Sequence, residues 1–329
     1  MFFLGDVVLD KPYRIDFTMD DFVFNLEYPL SCEGIPAKNK INLCQDQCYF
    51  KETFGRYPLA VNLANNHIMD YGEDAFDKTI EFLETHGIKY FGAGNKKNNF
   101  NNPCIVKYNN KNIALFGYSC VSTHAVFGSD TTKGSAMIKD ETIINEIKFY
   151  KTKVDKIILN FHWGDEDTHY PKPSDVRRAR KFIDIGADLI IGHHAHVIQS
   201  VEVYKGKYIF YGLGNFLFQY YDTPSQYNGQ NFEAIHSSKN EKSNNRTLLV
   251  EVTDEFKIRY ITAEYIEGCL QEKKIRIPKW IPNTDREYIL YRKYWEKKRM
   301  LTLFLKNPRI PTLKQIRLFL GLKEEKPSV

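Results

Sequence analysis

The sequence predicts an α/β protein in which helices are layered on a mixed sheet or on two packed sheets. Apolar runs of strand length alternate with segments of helical period. Two late stretches read as β-hairpins and bring antiparallel strands into the arrangement. No apolar run approaches the roughly 18 residues that a membrane-crossing helix requires. The 329 residues are 43% hydrophobic and 26% charged, a composition that can bury a sizeable core in one large domain or two modest ones.

The strand candidates begin with "FFLGDVVL", "FVFNLEY" and "PLAVNLA". The helix "GEDAFDKTIEFLETHG" follows, with Phe76, Ile80 and Leu83 on one face and Gly87 as its stop. Next come "CIVKY", "IALFGYS" and "KIILNFHW", then the helix "SDVRRARKFIDIGA" with Ser174 as candidate cap and Gly186 as stop, and the strand "ADLIIG". One hairpin, "VEVYKGKYIFYGLG", turns at Lys205 and Gly206, and another, "TLLVEVTDEFKIRYITAEYI", turns around Asp254 and Glu255. The polar stretch from Tyr220 to Asn245 lacks periodicity and reads as a long loop, or as a lid over an extended substrate. From about residue 270 the chain turns helical and basic, which divides it into a body, 1–270, and a C-terminal basic helical extension, 271–329.

Charge excludes some functions. The chain carries a net +5, but Arg286–Val329 holds twelve Lys or Arg and four Glu, leaving the first 285 residues at −3. A slightly acidic body without interleaved basic and aromatic residues argues against nucleic acid as a partner. The tail helix, with Tyr291, Trp295 and Leu301 beside Arg292, Lys297 and Arg299, is of a kind that lies on anionic membranes, so peripheral membrane contact is weighed there against packing on the body. The opening "MFFLGDVVLD" has no signal-peptide pattern, and a cytoplasmic protein is expected. Six spread cysteines predict reduced thiols, with a zinc staple at Cys32, Cys44 and Cys48 as the lesser reading.

Polar residues gather at the ends of the predicted strands: Asp6, the pair Asn25 and Glu27, Asn66 with His67, His162, and "GHHAH" holding His193, His194 and His196. In layered α/β folds strand ends converge on one edge, where ligands bind. Asp, Glu, Asn and His are hard or borderline ligands, so the set suits one or two divalent ions such as Mn, Zn, Fe or Mg. Taken singly, Asp6 reads as a turn residue and His162 as a core imidazole, but Glu27 in an apolar strand wants a cation nearby. Strand alternation sends His194 and His196 to one face and His193 to the other.

"GD" at Asp6, "NLE" at Asn25–Glu27, "NLANNHIMDYG" at Asn62–Gly72, "HWG" at His162–Gly164, "GADLIIGHHAHVIQ" at Gly186–Gln199 and "YGLGNFLF" at Tyr211–Phe218 resemble the CapA family. This is the capsule and poly-γ-glutamate biosynthesis branch of the calcineurin-like metallophosphoesterase superfamily. The resemblance spans about residues 4–220. It implies a four-layer α/β/β/α sandwich with two mixed sheets around a two-metal site. Asp6 and His196 would bind the first metal, Glu27 would bridge, and Asn66, His162 and His194 would hold the second. His67 would serve as acid; His193, which alternation sends to the other face, is a second catalytic candidate on the residues alone, set to serve a ligand from behind or a substrate. Where the superfamily carries Asp-x-His, this chain has Asp6, Val7 and Val8, so one ligand of the first metal is missing. The expected activity is metal-dependent hydrolysis of a phosphoester, or of a related ester or amide bond, in a small-molecule, polymer or peptide substrate. The alternatives are a metal-dependent epimerase and a non-catalytic capsule-assembly component with a relict site.

Overall fold

Two sheets pack face to face, with helices on both outer faces. The computed structural model describes residues 1–98, 100–101, 103–218, 225–234 and 242–306. The chain lays down β1 (Phe2–Val8), β2 (Arg14–Ile15), β3 (Phe22–Leu26), α1 (Phe50–Phe54), β4 (Ala60–Asn62), α2 (Gly72–Thr85), β5 (Lys89–Phe91) and β6 (Ala93–Gly94). It continues with β7 (Cys104–Tyr108), β8 (Lys111–Ser119), β9 (Gly134–Ser135), α3 (Asp140–Tyr150), β10 (Lys156–His162), α4 (Pro173–Ile185) and β11 (Leu189–His193). Then come β12 (Val201–Tyr204), β13 (Lys207–Phe210), β14 (Asn215–Phe218), β15 (Ser225–Tyr227), β16 (Phe232–Ala234), β17 (Arg246–Val252), β18 (Ile258–Ile266) and β19 (Cys269–Glu272).

The larger sheet runs β2-β19-β18-β17-β1-β3-β4-β5, with β14 also paired to β1, and the smaller runs β12-β13-β11-β10-β8-β7. Side-chain alternation in the central strands separates three apolar layers. In β10, Ile158 faces inward with Leu189, Ile191 and Phe210, and meets Phe3, Val23, Phe91 and Val250 of the larger sheet. Its neighbours Ile157, Leu159 and Phe161 face outward onto Ile143 and Ile147 of α3 and Val176 and Phe182 of α4. Phe50 of α1 and Phe76 and Leu83 of α2 cover Phe24 and Val61 on the outer face of the larger sheet. The layering is therefore α/β/β/α, as expected, and each fully buried Phe or Leu in it contributes roughly 1.5–3 kcal/mol.

Local chemistry explains most boundaries. Lys205 and Gly206 adopt φ of 49° and 76°, the paired left-handed geometry of a type I′ turn whose twist suits the β12–β13 hairpin. Helix α4 begins not at a Ser174 cap but at Pro173 after Lys172, because a proline in the first turn has no N–H left to satisfy. Helix α3 lies in the stretch "DETIINEIKFY", which the sequence reading assigned to no element; only Ile143 and Ile147 are buried, so its apolar stripe is thin. Strand β19 crosses residue 270, because Cys269–Glu272 completes the antiparallel meander with β18. The first unit accordingly runs to Ile281.

The second unit starts at Pro282 and contains α5 (Asp285–Lys306). Thr284 and Glu287 cap the helix reciprocally: Thr284 Oγ1 accepts from the Glu287 N–H, and Glu287 Oε2 accepts from the Thr284 N–H at 3.3 Å each. The expected helix "TLKQIRLFLGL" lies outside the described residues. Of the expected lid, 225–234 form the β15–β16 hairpin and 242–245 a short 3₁₀ turn, while 220–224 and 235–241 lie outside the described residues. No helix among the described residues is long and apolar enough to cross a membrane.

The cysteines correct the sequence reading. Cys32 and Cys44 form a disulfide across a twelve-residue separation, with Cα atoms 5.2 Å apart. The polar loop between them doubles back on itself: Asn42 accepts from the Ala37 N–H and donates to the Ala37 carbonyl, both at 2.9 Å. That fold-back brings together thiols that spacing alone leaves unassigned, and it excludes both a fully reduced chain and a zinc staple using those two residues. Denatured without reductant, the protein should alkylate at its four free cysteines, Cys48, Cys104, Cys120 and Cys269, and at all six after reduction. Intact mass distinguishes the two, and six adducts without reductant would exclude the bridge.

Candidate metal centre

The site forms where the carboxyl ends of parallel strands from both sheets meet. Strands β1, β3 and β4 run parallel in one sheet, and β8, β10 and β11 in the other. Asp6 lies near the end of β1 between β3 and β14, with Asn25 and Asn215 as its cross-strand partners and a register irregularity on each side. Glu27 directly follows β3. His162 ends β10, and His193, opposite it in register, ends β11.

Asn65 shapes the turn after β4. Its Oδ1 accepts from the N–H groups of His67 and Ile68, and its Nδ2 donates to Asn25 Oδ1 and the Leu26 carbonyl. Asn66 and His67 are thereby presented to the cluster. The histidine run is arranged differently from the alternation expected of a strand. The strand stops at His193, and His194 and His196 adopt positive φ of 80° and 56°. These turns, rather than a pleat, bring both rings inward. His193 does not face away: its Nδ1 lies 3.2 Å from Asp6 Oδ1.

Asp6 Oδ1 accepts from Asn25 Nδ2 at 2.8 Å, and Asp6 Oδ2 accepts from the His194 N–H at 3.2 Å. His196 Nδ1 stands 2.8 Å from Asn215 Oδ1 and 3.5 Å from Asp6 Oδ2. His162 Nε2 is 2.7 Å from Asn66 Oδ1, 3.1 Å from His194 Nδ1 and 3.5 Å from Glu27 Oε1. Among the described residues, donor atoms within 4.8 Å of one another fall into three sets: Asp6, Glu27 and His196; Glu27, His162 and His194; and Glu166, His194 and His196. The first two sets share Glu27. Asp6, Glu27, Asn66, His162, His193, His194 and His196 are all buried.

Burial sets the electrostatics. It pushes the His162 imidazole well below its usual range, and the neighbouring histidines lower it further. It brings His194 from 6.5 to about 3, against the pull of Glu166 and Asp6. For Asp6, burial alone would raise the carboxyl, but His193, His196 and Asn25 outweigh it and hold the group below the ordinary carboxylate range. Imidazoles held neutral keep a lone pair for coordination, and buried carboxylates beside them supply negative charge without thiolate. The donor set fits a divalent cation.

Across the site, His67 Nδ1 lies 2.6 Å from Asp70 Oδ2, leaving Nε2 as the ring nitrogen not engaged by that carboxylate. Burial lowers the His67 pKa; the Asp70 charge offsets part of the drop and Lys40 adds to it. The fully buried Asp70 also receives Lys40 Nζ at 2.5 Å and the Leu43 N–H at 2.8 Å, and Lys40 Nζ reaches the Asn66 carbonyl as well. His67, His196, Lys40, His124, Glu166 and Phe218 are among the residues lining a cavity of about 470 Å³. Sequence reasoning did not assign roles to Asn25, Asn65, Asp70, Glu166 or Asn215. Asp70 stands three residues after His67 within a stretch already singled out, and Asn215 stands in "GNF" after a strand, so a signal existed for both. Nothing in the sequence links Lys40 or Glu166 to the site.

The model of the family described as bacterial capsule synthesis protein PGA_cap matches residues 2–220. The capsule biosynthesis protein CapA of Bacillus anthracis is 34% identical over 162 residues, covering 48% of this chain and 39% of that protein. The PGA biosynthesis protein CapA of Bacillus subtilis strain 168 is 35% identical over 159 residues, covering 48% and 42%. The match therefore spans less than half the length of either relative. A solved 5'-nucleotidase precursor from Thermus thermophilus aligns over 62% of this chain and 38% of its own, at 17% identity and a TM-score of 0.37.

The depressed histidines make the metal-free protein acid-sensitive. The unfolded chain binds protons near 6.5 that folded His194 refuses until about 3. Stability from this source is therefore complete above about 6.5 and declines as pH falls toward 3. Asp6 acts in the same direction at the acid end. Denaturant midpoints of the chelated protein should fall across that window, and a flat profile would contradict the neutral-histidine arrangement.

Proposed function

Because the chain belongs to the bacterial capsule synthesis family that includes the CapA proteins, we propose that its buried cluster is a hydrolytic metal centre acting on an ester or amide bond, a phosphoester first among them. The observation that carries this reading is the pair of donor sets sharing Glu27, with His67 on the same cavity. Asp6, Glu27 and His196 would hold one cation, and Glu27, Asn66, His162 and His194 the other. Divalent cations there would supply Lewis-acid stabilisation of charge on a phosphoryl or carbonyl oxygen and make a nearby water more acidic. The chain's own residues do the rest. Asn25 and Asn215 orient Asp6 and His196, as partners behind metal ligands commonly do. Asp70 holds the His67 ring and stabilises its protonated form, so that a proton can pass from His67 to the leaving group. His193, against Asp6, would steady that carboxylate. Relatives named for capsule and PGA biosynthesis make a surface polymer or a peptide-derived compound the first substrate class to test.

One observation favours a second reading. Burial holds His67 toward its neutral form, and with Nδ1 on Asp70 the ring keeps a lone pair at Nε2 that accepts a proton. This suits an epimerase, in which a metal-held carbonyl acidifies its α-carbon and His67 acts as base.

The full chain, purified with Mn²⁺ or Zn²⁺, should turn over generic phosphomonoesters or phosphodiesters, and Asp6→Asn or His194→Ala should lower the rate by about 100-fold or more. No turnover with metal demonstrably bound would sink the hydrolase. Solvent deuterium appearing at an α-carbon of a peptide without hydrolysis would establish the epimerase, and the absence of both activities would leave a relict site. If His67 serves as acid, Asp70→Asn should slow substrates with poor leaving groups by about 100-fold or more while largely sparing p-nitrophenyl esters. Equal losses for both would argue against that role.

A further inference from the structure

The cavity holds a positive charge that the proposed reaction does not use. Lys38, Lys40 and His124 line it, and among its described lining residues Glu166 is the only carboxylate. Glu166 lies with His194 and His196 in a metal-competent set, and the Lys40 charge is spent on Asp70. No ion pair among the described residues engages Lys38.

Lys38 is nonetheless well placed. Its loop is closed by Cys32–Cys44, braced by Asn42, and tied to Asp70 through the Ala37 and Leu43 N–H groups. On its far side, the Asn39 N–H donates to the Tyr227 carbonyl at 2.7 Å, which seats the loop on the β15–β16 hairpin. The Lys38 stem then passes so close to Gly229 that a Cβ there would meet its Cε at 3.0 Å. Gly229, at φ 105°, leaves that path open. From the other sheet, the segment after β8 delivers His124 in a left-handed conformation, φ 58°, with no hydrogen bond to its ring among the described residues. An imidazole carries an N–H donor even when neutral. A non-glycine residue held at positive φ on a cavity wall is a recurrent feature of ligand sites.

We propose that Lys38 and His124 form a subsite for a second anionic group of the ligand, apart from the group at the metal centre. The substrate is then at least dianionic: one group reacts beside Glu27, and a carboxylate or phosphate elsewhere in the same molecule pairs with Lys38 and accepts from His124. The position of the reacting group rests on the metal-centred reading above, but the subsite rests on the unspent charge and its fixed loop.

Calorimetric titration of the Mn²⁺-loaded full chain tests this with three probes: propylphosphonate, 3-phosphonopropionate and propane-1,3-bisphosphonate. The second anion should tighten binding about fivefold over propylphosphonate, the scale of a charge-assisted contact that stays partly in solvent, and the gain should shrink with added salt. Whichever dianion gains more separates a carboxylate source from a phosphate source. Lys38→Gln should bring the ratio to about one and Lys38→Arg should preserve it; His124→Asn, which tolerates the left-handed backbone, should lose part of the gain. A wild-type ratio near one for both dianions, a ratio that survives Lys38→Gln, or no binding of any probe overturns the subsite. Absence of phosphoester turnover with the ratio intact overturns only the hydrolase.

Discussion

A carboxylate buried between two sheets is the constraint around which this molecule is arranged. Asp6 sits on a central strand of the larger sheet with no exposed surface, where an uncompensated charge would cost several kcal/mol. The chain surrounds it with dipoles and donors from both sheets. Asn25 comes from the next strand, the backbone N–H of His194 from the other sheet, and the His193 and His196 rings from the same turn. Meeting that demand dictates local backbone geometry. Gly5 and Gly192 permit approaches in which a Cβ would stand 1.9 Å from a carbonyl oxygen, of Gly214 and Tyr211 respectively. His194 and His196 take left-handed conformations that non-glycine residues seldom adopt.

A second buried carboxylate organises the opposite wall. Asp70 receives His67, Lys40 and the Leu43 amide on its side chain, and its backbone oxygen receives Ala37. One residue therefore sets both the His67 ring and the loop that lines the cavity. The disulfide at the base of that loop limits the conformations open to it, and Lys40 balances charge that would otherwise bear on His67 alone. The His67 ring and the cavity-lining loop are thus coupled through hydrogen bonds and a staple.

Family membership accounts for the donor set without naming a reaction, since one ligand constellation serves several chemistries on one fold. This chain also has its own variations. Val7 and Val8 follow Asp6 where the resemblance implies a histidine, and Glu166 adds a carboxylate beside His194 and His196 from the segment after β10. Both differences alter the donor balance around the histidine run.

The layering and the polar strand ends were legible in the sequence, because apolar periodicity is a local property and the cost of a charged or imidazole side chain in an apolar run is local too. Alternating strands and helices predicted an α/β domain with a mixed sheet or two packed sheets, the family resemblance added the α/β/β/α order, and Asp6, Glu27, His162 and the histidine run could be singled out because each interrupts or ends an apolar run. Helix α3 escaped because its buried stripe is only Ile143 and Ile147. The convergence of all three rings escaped because the pleat rule holds only through His193, and the positive φ values of His194 and His196 beyond it serve contacts with Asp6 and Asn215, at remote sequence positions. The Cys32–Cys44 bridge, the Lys40–Asp70–His67 chain and the placement of Lys38 over Gly229 likewise arise from chain segments that meet only in the folded molecule. Burial patterns and residue chemistry determine which side chains are available; distances, pKa shifts and unspent charge depend on which distant segments the two sheets bring together, and only the tertiary structure decides that.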